Sequence, residues 1–246
     1  MALDLFLHDI HSNLLKRKSP NFSTLFLNAG AHIQHHYFFN SAPIKEDVLH
    51  RNPNWYVKKS QDPFIEMLDV YDLILRDVHS QKNTEVLVAT GLSQVPYDKV
   101  KYYYRLKDHK DFISKLGIDF TNIIPRMTRD FLIEFNSEKG AADAQAILGD
   151  IKVNNRIPLF KKIDNRGSSL FVTLTYPDEI KIETSIVANR NIIKLKENVV
   201  FVAIKNGMHQ SKGFAFFTPG LKNLIPEEDT HVKGLYKTIQ NFFIPA

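Results

Sequence analysis

The sequence predicts an α/β protein of three layers, a mostly parallel sheet flanked by helices, with a small α+β subdomain inserted into it. Three observations carry this expectation. Helix-type and strand-type patterns alternate over residues 3–90 with short connections, as in a sheet with crossover helices. The two clearest strands, "FSTLFLN" (22–28) and "TEVLVAT" (84–90), are short apolar runs without alternation, as strands covered on both faces are. From about 105 to 190 short helices and strands follow in a different texture. The expected division is therefore a core of 1–104 and 191–246, with an insert of 105–190.

The elements follow in order. Leu3, Phe6 or Leu7, Ile10, Leu14 and Leu15 recur at helical spacing, which predicts an amphipathic helix over 3–16. "KRKSPN" breaks it at Pro20. The first strand, 22–28, is followed by a loop rich in Pro, Asn and aromatic residues to about 62. Phe64, Met67 or Leu68, Tyr71, Ile74 or Leu75 and Val78 predict a second helix over 63–80, ahead of the strand 84–90. Within the insert, "DHKDFISKLG" and the Ala-rich "EKGAADAQAILGD" predict helices, and "RDFLIEF", "RIPLFKKI" and "SSLFVTLTY" predict strands. "NVVFVAIKNGMHQSKGFAFFTPG" (198–220) reads as two strand runs around a loop bearing a histidine, and 229–243 as a final helix.

Composition bounds the chemistry. The 246 residues are 43% hydrophobic and 24% charged, an ordinary globular balance that argues against a disordered chain. The net charge of +5 is spread along the chain, and its densest run is "KRK" at 16–18, so nucleic acid is an unlikely partner. There is no cysteine, which excludes disulfides and thiolate metal sites and leaves His, Asp, Glu and amide oxygen as ligands. No apolar stretch is long enough to span a bilayer and the first residues lack the order of a signal peptide, so the default expectation is a soluble, cytoplasmic protein without a membrane partner.

Open α/β sheets bind ligands at the carboxyl ends of their strands. Asn28 stands at that end of the first strand, and His32 follows four residues later, with Gly30 between them to let the chain bend. An amide oxygen and an imidazole at this spacing can grip one divalent cation, zinc or manganese, and His209 in the "NGMHQSKG" loop is the candidate to complete the set. Ordinary solvated or capping roles account for His8, His11, His50, His79, His109 and His231. In "HIQHHYFFNS", His35, His36 and Asn40 are candidate substrate-binding groups beside an aromatic run, although packing suffices to explain Tyr37, Phe38 and Phe39.

On these motifs the chain resembles the carboxyl-terminal half of an alkaline-phosphatase-superfamily protein, closest to the type I phosphodiesterase/nucleotide pyrophosphatase branch. "LHDIHSNLLKRKSPNFSTLFLN" is similar to the helix and strand that lead into that family's Asp-x-x-x-His metal motif, here Asn28-Ala-Gly-Ala-His32. "DVYDLILRDV" (69–78) and "VLVATGLSQ" resemble the helix and strand before an Asp-His-Gly motif, with Thr90 and Gly91 where the ligands would stand. Gly207-Met208-His209 matches its Gly-x-His loop. The resemblance implies a metal-associated phosphohydrolase or phosphodiesterase acting on a small phosphate or sulfate ester, a sugar or nucleotide derivative, with His32, His209 and Asn28 as metal ligands and Thr90 facing substrate. It further implies that the nucleophile-bearing half belongs to sequence before Met1 or to a partner chain, so that this chain alone is inactive. The loss of charge at Asn28, Thr90 and Gly91 supports an alternative: a non-catalytic ligand-binding or protein-interaction module.

Overall fold

Every strand pairing among the described residues is antiparallel. This overturns the mostly parallel three-layer sheet expected from the sequence. The computed structural model describes residues 1–44 and 49–244, so part of the expected 29–62 loop lies outside the described residues. In chain order the elements are α1 (Ala2–Lys18), α2 (Ala29–Tyr37), α3 (Pro63–His79), β1 (Leu87–Ala89), β2 (Ser93–Pro96), β3 (Tyr102–Leu106), α4 (His109–Lys115), β4 (Asn122–Pro125) and β5 (Asp130–Glu134). They continue with α5 (Glu138–Asp150), β6 (Lys152–Val153), β7 (Ile157–Pro158), β8 (Lys162–Asn165), β9 (Ser169–Thr173), β10 (Ser185–Ala188), β11 (Asn191–Lys194) and α6 (Leu195–Asn198). The last are β12 (Val199–Ile204), β13 (Gly207–Gln210), β14 (Ala215–Phe217) and α7 (Leu235–Phe243). No helix among the described residues is long and apolar enough to cross a membrane.

The chain divides into two compact units, residues 1–98 with 206–246, and residues 99–205. The second unit is wider than the expected 105–190 because β3 and β12 pair with each other, Leu106 opposite Val199 and Tyr102 opposite Ile204. That pairing draws both flanks of the insert into it.

The second unit holds the larger core. Its β4-β5-β9-β8 sheet buries alternate residues, Phe131 and Ile133 of β5 and Leu170 and Val172 of β9, all at 0% exposure, as period-two side chains do when one face is covered. Helix α5 presents Ala141, Ala144 and Leu148 at helical spacing to the same core and starts where the Ser137 hydroxyl accepts the Gly140 N–H at 3.1 Å. A second sheet, in the order β11-β10-β6-β7, completes this unit.

The first unit is built differently. Residues 22–28 form no strand, and 22–27 make no backbone hydrogen bond among the described residues, with Phe22 53% and Phe26 80% exposed. The strand expected at 84–90 shortens to β1, which pairs with β14, and β2 pairs with β13. A parallel sheet needs a crossover-linked neighbour on each side of a buried strand, and among the described residues no strand pairs with 22–28.

Helix α1 forms as expected but turns its faces the other way. Leu3, Phe6, Leu7, Ile10 and Leu14 are exposed, while Asp4 and His8 are buried. The polar face is held by specific bonds. The Asp4 carboxylate accepts the Ala29 N–H at 2.9 Å and the Tyr71 hydroxyl at 3.0 Å, His8 Nε2 lies 3.0 Å from Asp77 Oδ2, and Ser12 donates to the same oxygen at 3.2 Å. Helix α2, where the sequence suggested only loop, buries Ala29, Gly30 and Ile33 and packs with Met67 and Tyr71 of α3.

Candidate functional site

The first unit gathers four histidines where α2 meets β13. Positions 32, 35 and 36 share one side of α2, because residues three and four apart are neighbours on a helix. His209 enters from β13, opposite Gln94 of β2. Its Nε2 lies 2.9 Å from His35 Nε2, so one ring donates and the other accepts. The ring of His35 is 4.7 Å from that of His209 and 6.4 Å from that of His36, and His36 lies 4.6 Å from His32. The contacts thus run from His209 through His35 and His36 to His32. His32 and His209 are exposed, and His35 and His36 are half-buried.

Glycine permits this approach. A Cβ on Gly207 would meet the Gln34 carbonyl oxygen at 2.7 Å and also the Gln94 amide oxygen. No other residue fits there unless β13 moves away from α2. Gly213 is constrained in the same way by the Thr90 carbonyl oxygen. Gly30 plays another part than the expected bend: it lies within α2, and its N–H donates to the Tyr71 hydroxyl at 2.8 Å. Burial raises the Tyr71 phenol to about 12, with the Asp4 carboxylate adding to the rise.

Electrostatics favour a neutral imidazole at His36. Burial, then the neighbouring His32 and His35, push His36 down to about 4, and its Nδ1 is buried without a partner. A neutral imidazole is the form that ligates a metal or exchanges a proton.

The other expected site residues have definite places. Asn28 is the N-cap of α2; its side chain makes no capping bond, and its carbonyl accepts the His32 N–H at 3.1 Å. His209 stands on a strand, where the sequence suggested a loop. Thr90 is engaged by backbone, its hydroxyl accepting the Phe214 N–H at 2.9 Å. Asn40 Oδ1 accepts the Asn52 N–H at 3.2 Å. Phe38 and Phe39 are core residues, and Phe39 is fully buried.

Sequence reasoning missed the pair that braces the cluster. Asn206 and Asn52 are buried and bond through both side-chain amides, Asn52 Nδ2 to Asn206 Oδ1 at 2.7 Å and Asn206 Nδ2 to Asn52 Oδ1 at 3.0 Å. The Asn206 Oδ1 also accepts the Phe39 N–H at 2.8 Å, and its backbone N–H donates to the His35 carbonyl at 2.7 Å. This places the start of β13 against the end of α2. The signal in the sequence is an asparagine directly before the "GMH" triplet.

The metal that the resemblance implies can be tested against these donors. Two nitrogens bound at zinc distances on a tetrahedral ion stand about 3.3 Å apart, and the His35–His209 separation of 2.9 Å is within a few tenths of that. The fit stops at two. Among the described residues, no three His, Asp or Glu side chains are placed to hold one ion. No family model, curated protein or solved structure matches the chain.

Proposed function

We propose that this chain is the ester-binding part of a phosphohydrolase- or phosphodiesterase-like protein, and that the histidine cluster receives a phosphate- or sulfate-bearing small molecule. The observation that carries this reading is the His35–His209 contact, with His36 and His32 beside it. Imidazoles of this kind donate N–H bonds to ester oxygens or share one divalent cation, zinc or manganese, at His35 and His209. Such a cation, when bound, would supply positive charge opposite the ester oxygens. The resemblance to the alkaline phosphatase superfamily points to the same ligand class. The Asn52–Asn206 pair positions the site; it does not touch ligand in this reading.

A second reading, a ligand-binding or interaction module without catalysis, is favoured by one observation. The Thr90 hydroxyl, the expected substrate contact, is engaged by the Phe214 backbone.

The test is zinc and manganese titration of the purified chain by calorimetry, with and without a chromogenic phosphodiester. One equivalent of metal, bound at least tenfold more weakly by His35→Ala and by His209→Ala, is the expected result. Ester binding without turnover would favour the second reading. If neither metal nor ester binds, both fail.

A further inference from the structure

The second unit carries a cluster of another kind, on the face around Tyr103. The sequence shows "KYYYR" at 101–105 and "KK" at 161–162, and the fold adds Arg129 and Lys205. The Arg129 guanidinium carbon sits 3.9 Å from the centre of the Tyr103 ring and its Nη1 donates to the Leu174 carbonyl at 3.4 Å. Lys101 Nζ lies 5.8 Å from the same ring. The Lys205 N–H donates to the Lys101 carbonyl at 2.8 Å, which sets those residues side by side. Lys161 joins through its N–H to Thr175 Oγ1 at 2.7 Å, one residue beyond Leu174. Lys162 is opposite Thr173 in the β8–β9 register, and Thr173 is opposite Asp130, the residue after Arg129.

Cations predominate here. The Lys101 ammonium is lowered first by burial, then by Arg129, Lys205, Lys162 and Lys161, all of them cations. Lys101, Arg129, Lys161 and Lys162 form no ion pair among the described residues. The acid in register, Asp130, accepts the Thr173 hydroxyl at 2.6 Å. Gathering an excess of cations destabilises a fold unless an anion joins them.

We propose that this face binds an anion carrying two or more phosphate or sulfate groups. Lys162 on β8 and the Arg129–Asp130 end of β5 stand two strand spacings apart, about 10 Å, farther than one tetrahedral oxyanion reaches. Arg129 already covers the Tyr103 ring, so stacking of a nucleic-acid base would require its displacement. The ligand is therefore held by charge and by the Arg129 fork.

The test is an NMR titration of the whole chain with inorganic tripolyphosphate, with a sulfated disaccharide, with orthophosphate and with oligothymidylate. Saturable shifts at the amides of Lys101, Tyr103, Arg129 and Lys162 are expected, with orthophosphate about tenfold weaker or worse. Tighter binding of tripolyphosphate or of the disaccharide identifies the phosphate or the sulfate source. Lys101→Gln with Lys162→Gln should weaken binding about tenfold or more. Lys161→Gln with Lys162→Gln, which changes only exposed side chains, should weaken it in the same direction. The proposal is overturned by shifts confined to the histidines of the first unit, by an absence of saturable shifts, or by oligothymidylate binding more tightly than either polyanion.

Discussion

His36 shows how one side chain links packing to pH. Its ordinary value is 6.5, and in the fold burial and two neighbouring imidazoles bring it to about 4. The folded protein therefore refuses a proton that the unfolded chain accepts, and the contribution of His36 to stability is complete above about pH 6.5 and drains away between 6.5 and 4. The His11 and His109 imidazoles are lowered as well, chiefly by burial, and act in the same direction. Two measurements check this: the NMR titration of the His36 ring, expected near 4, and the urea midpoint, expected lower at pH 5 than at pH 7. A ring titrating at its ordinary value with an unmoved midpoint would contradict the buried, imidazole-flanked placement. The Asn52–Asn206 pair belongs to the same scale. Removing either amide would leave buried donors and acceptors unpaired, at a cost of about 1–3 kcal/mol for each orphaned group.

Among the elements, the stretch 22–27 departs furthest from expectation. Its composition is that of a buried strand, yet its backbone makes no hydrogen bond among the described residues. Amides without partners exchange quickly. Hydrogen exchange should therefore find Phe22–Leu27 exchanging near the rate of an unstructured peptide, beside protected amides in α3. Protection equal to that of α3 would show that something covers the segment in solution. Helix α1 teaches a related lesson. Its apolar spacing is readable as a helix, but the Asp4, His8 and Ser12 bonds decide which face turns inward.

The whole molecule has two units of unequal core. The unit of residues 99–205 buries a continuous cluster that includes Phe112, Phe131, Leu148, Leu159 and Leu170 at 0% exposure. The unit containing the histidines centres on a small cluster of Ala29, Ile33 and Met67, and more of its backbone lies outside strands and helices. Hydrophobic burial is the main stabilising term, so the histidine unit should unfold first. Trp55, the single tryptophan, lies in it and reports it alone. Its fluorescence should change at a lower urea concentration than the far-ultraviolet dichroism, which follows both units. Coincident transitions would mean one cooperative body.

Local pattern determined much here. The helices at 2–18, 63–79 and 138–150, and the strands at 130–134, 169–173 and 199–204, lie where spacing of apolar residues foretold them. The concentration of histidines and glycines in the "AHIQHH" and "GMH" segments was also readable. Strand direction, the inward face of α1 and the partner of His209 were not readable. Each depends on residues distant in the chain, and local periodicity carries no information about which distant edge or carboxylate a segment will meet. The tertiary structure made those choices: antiparallel pairing joined β2 to β13 and β3 to β12, the Asn52–Asn206 amides held β13 against α2, and His35 thereby became the neighbour of His209.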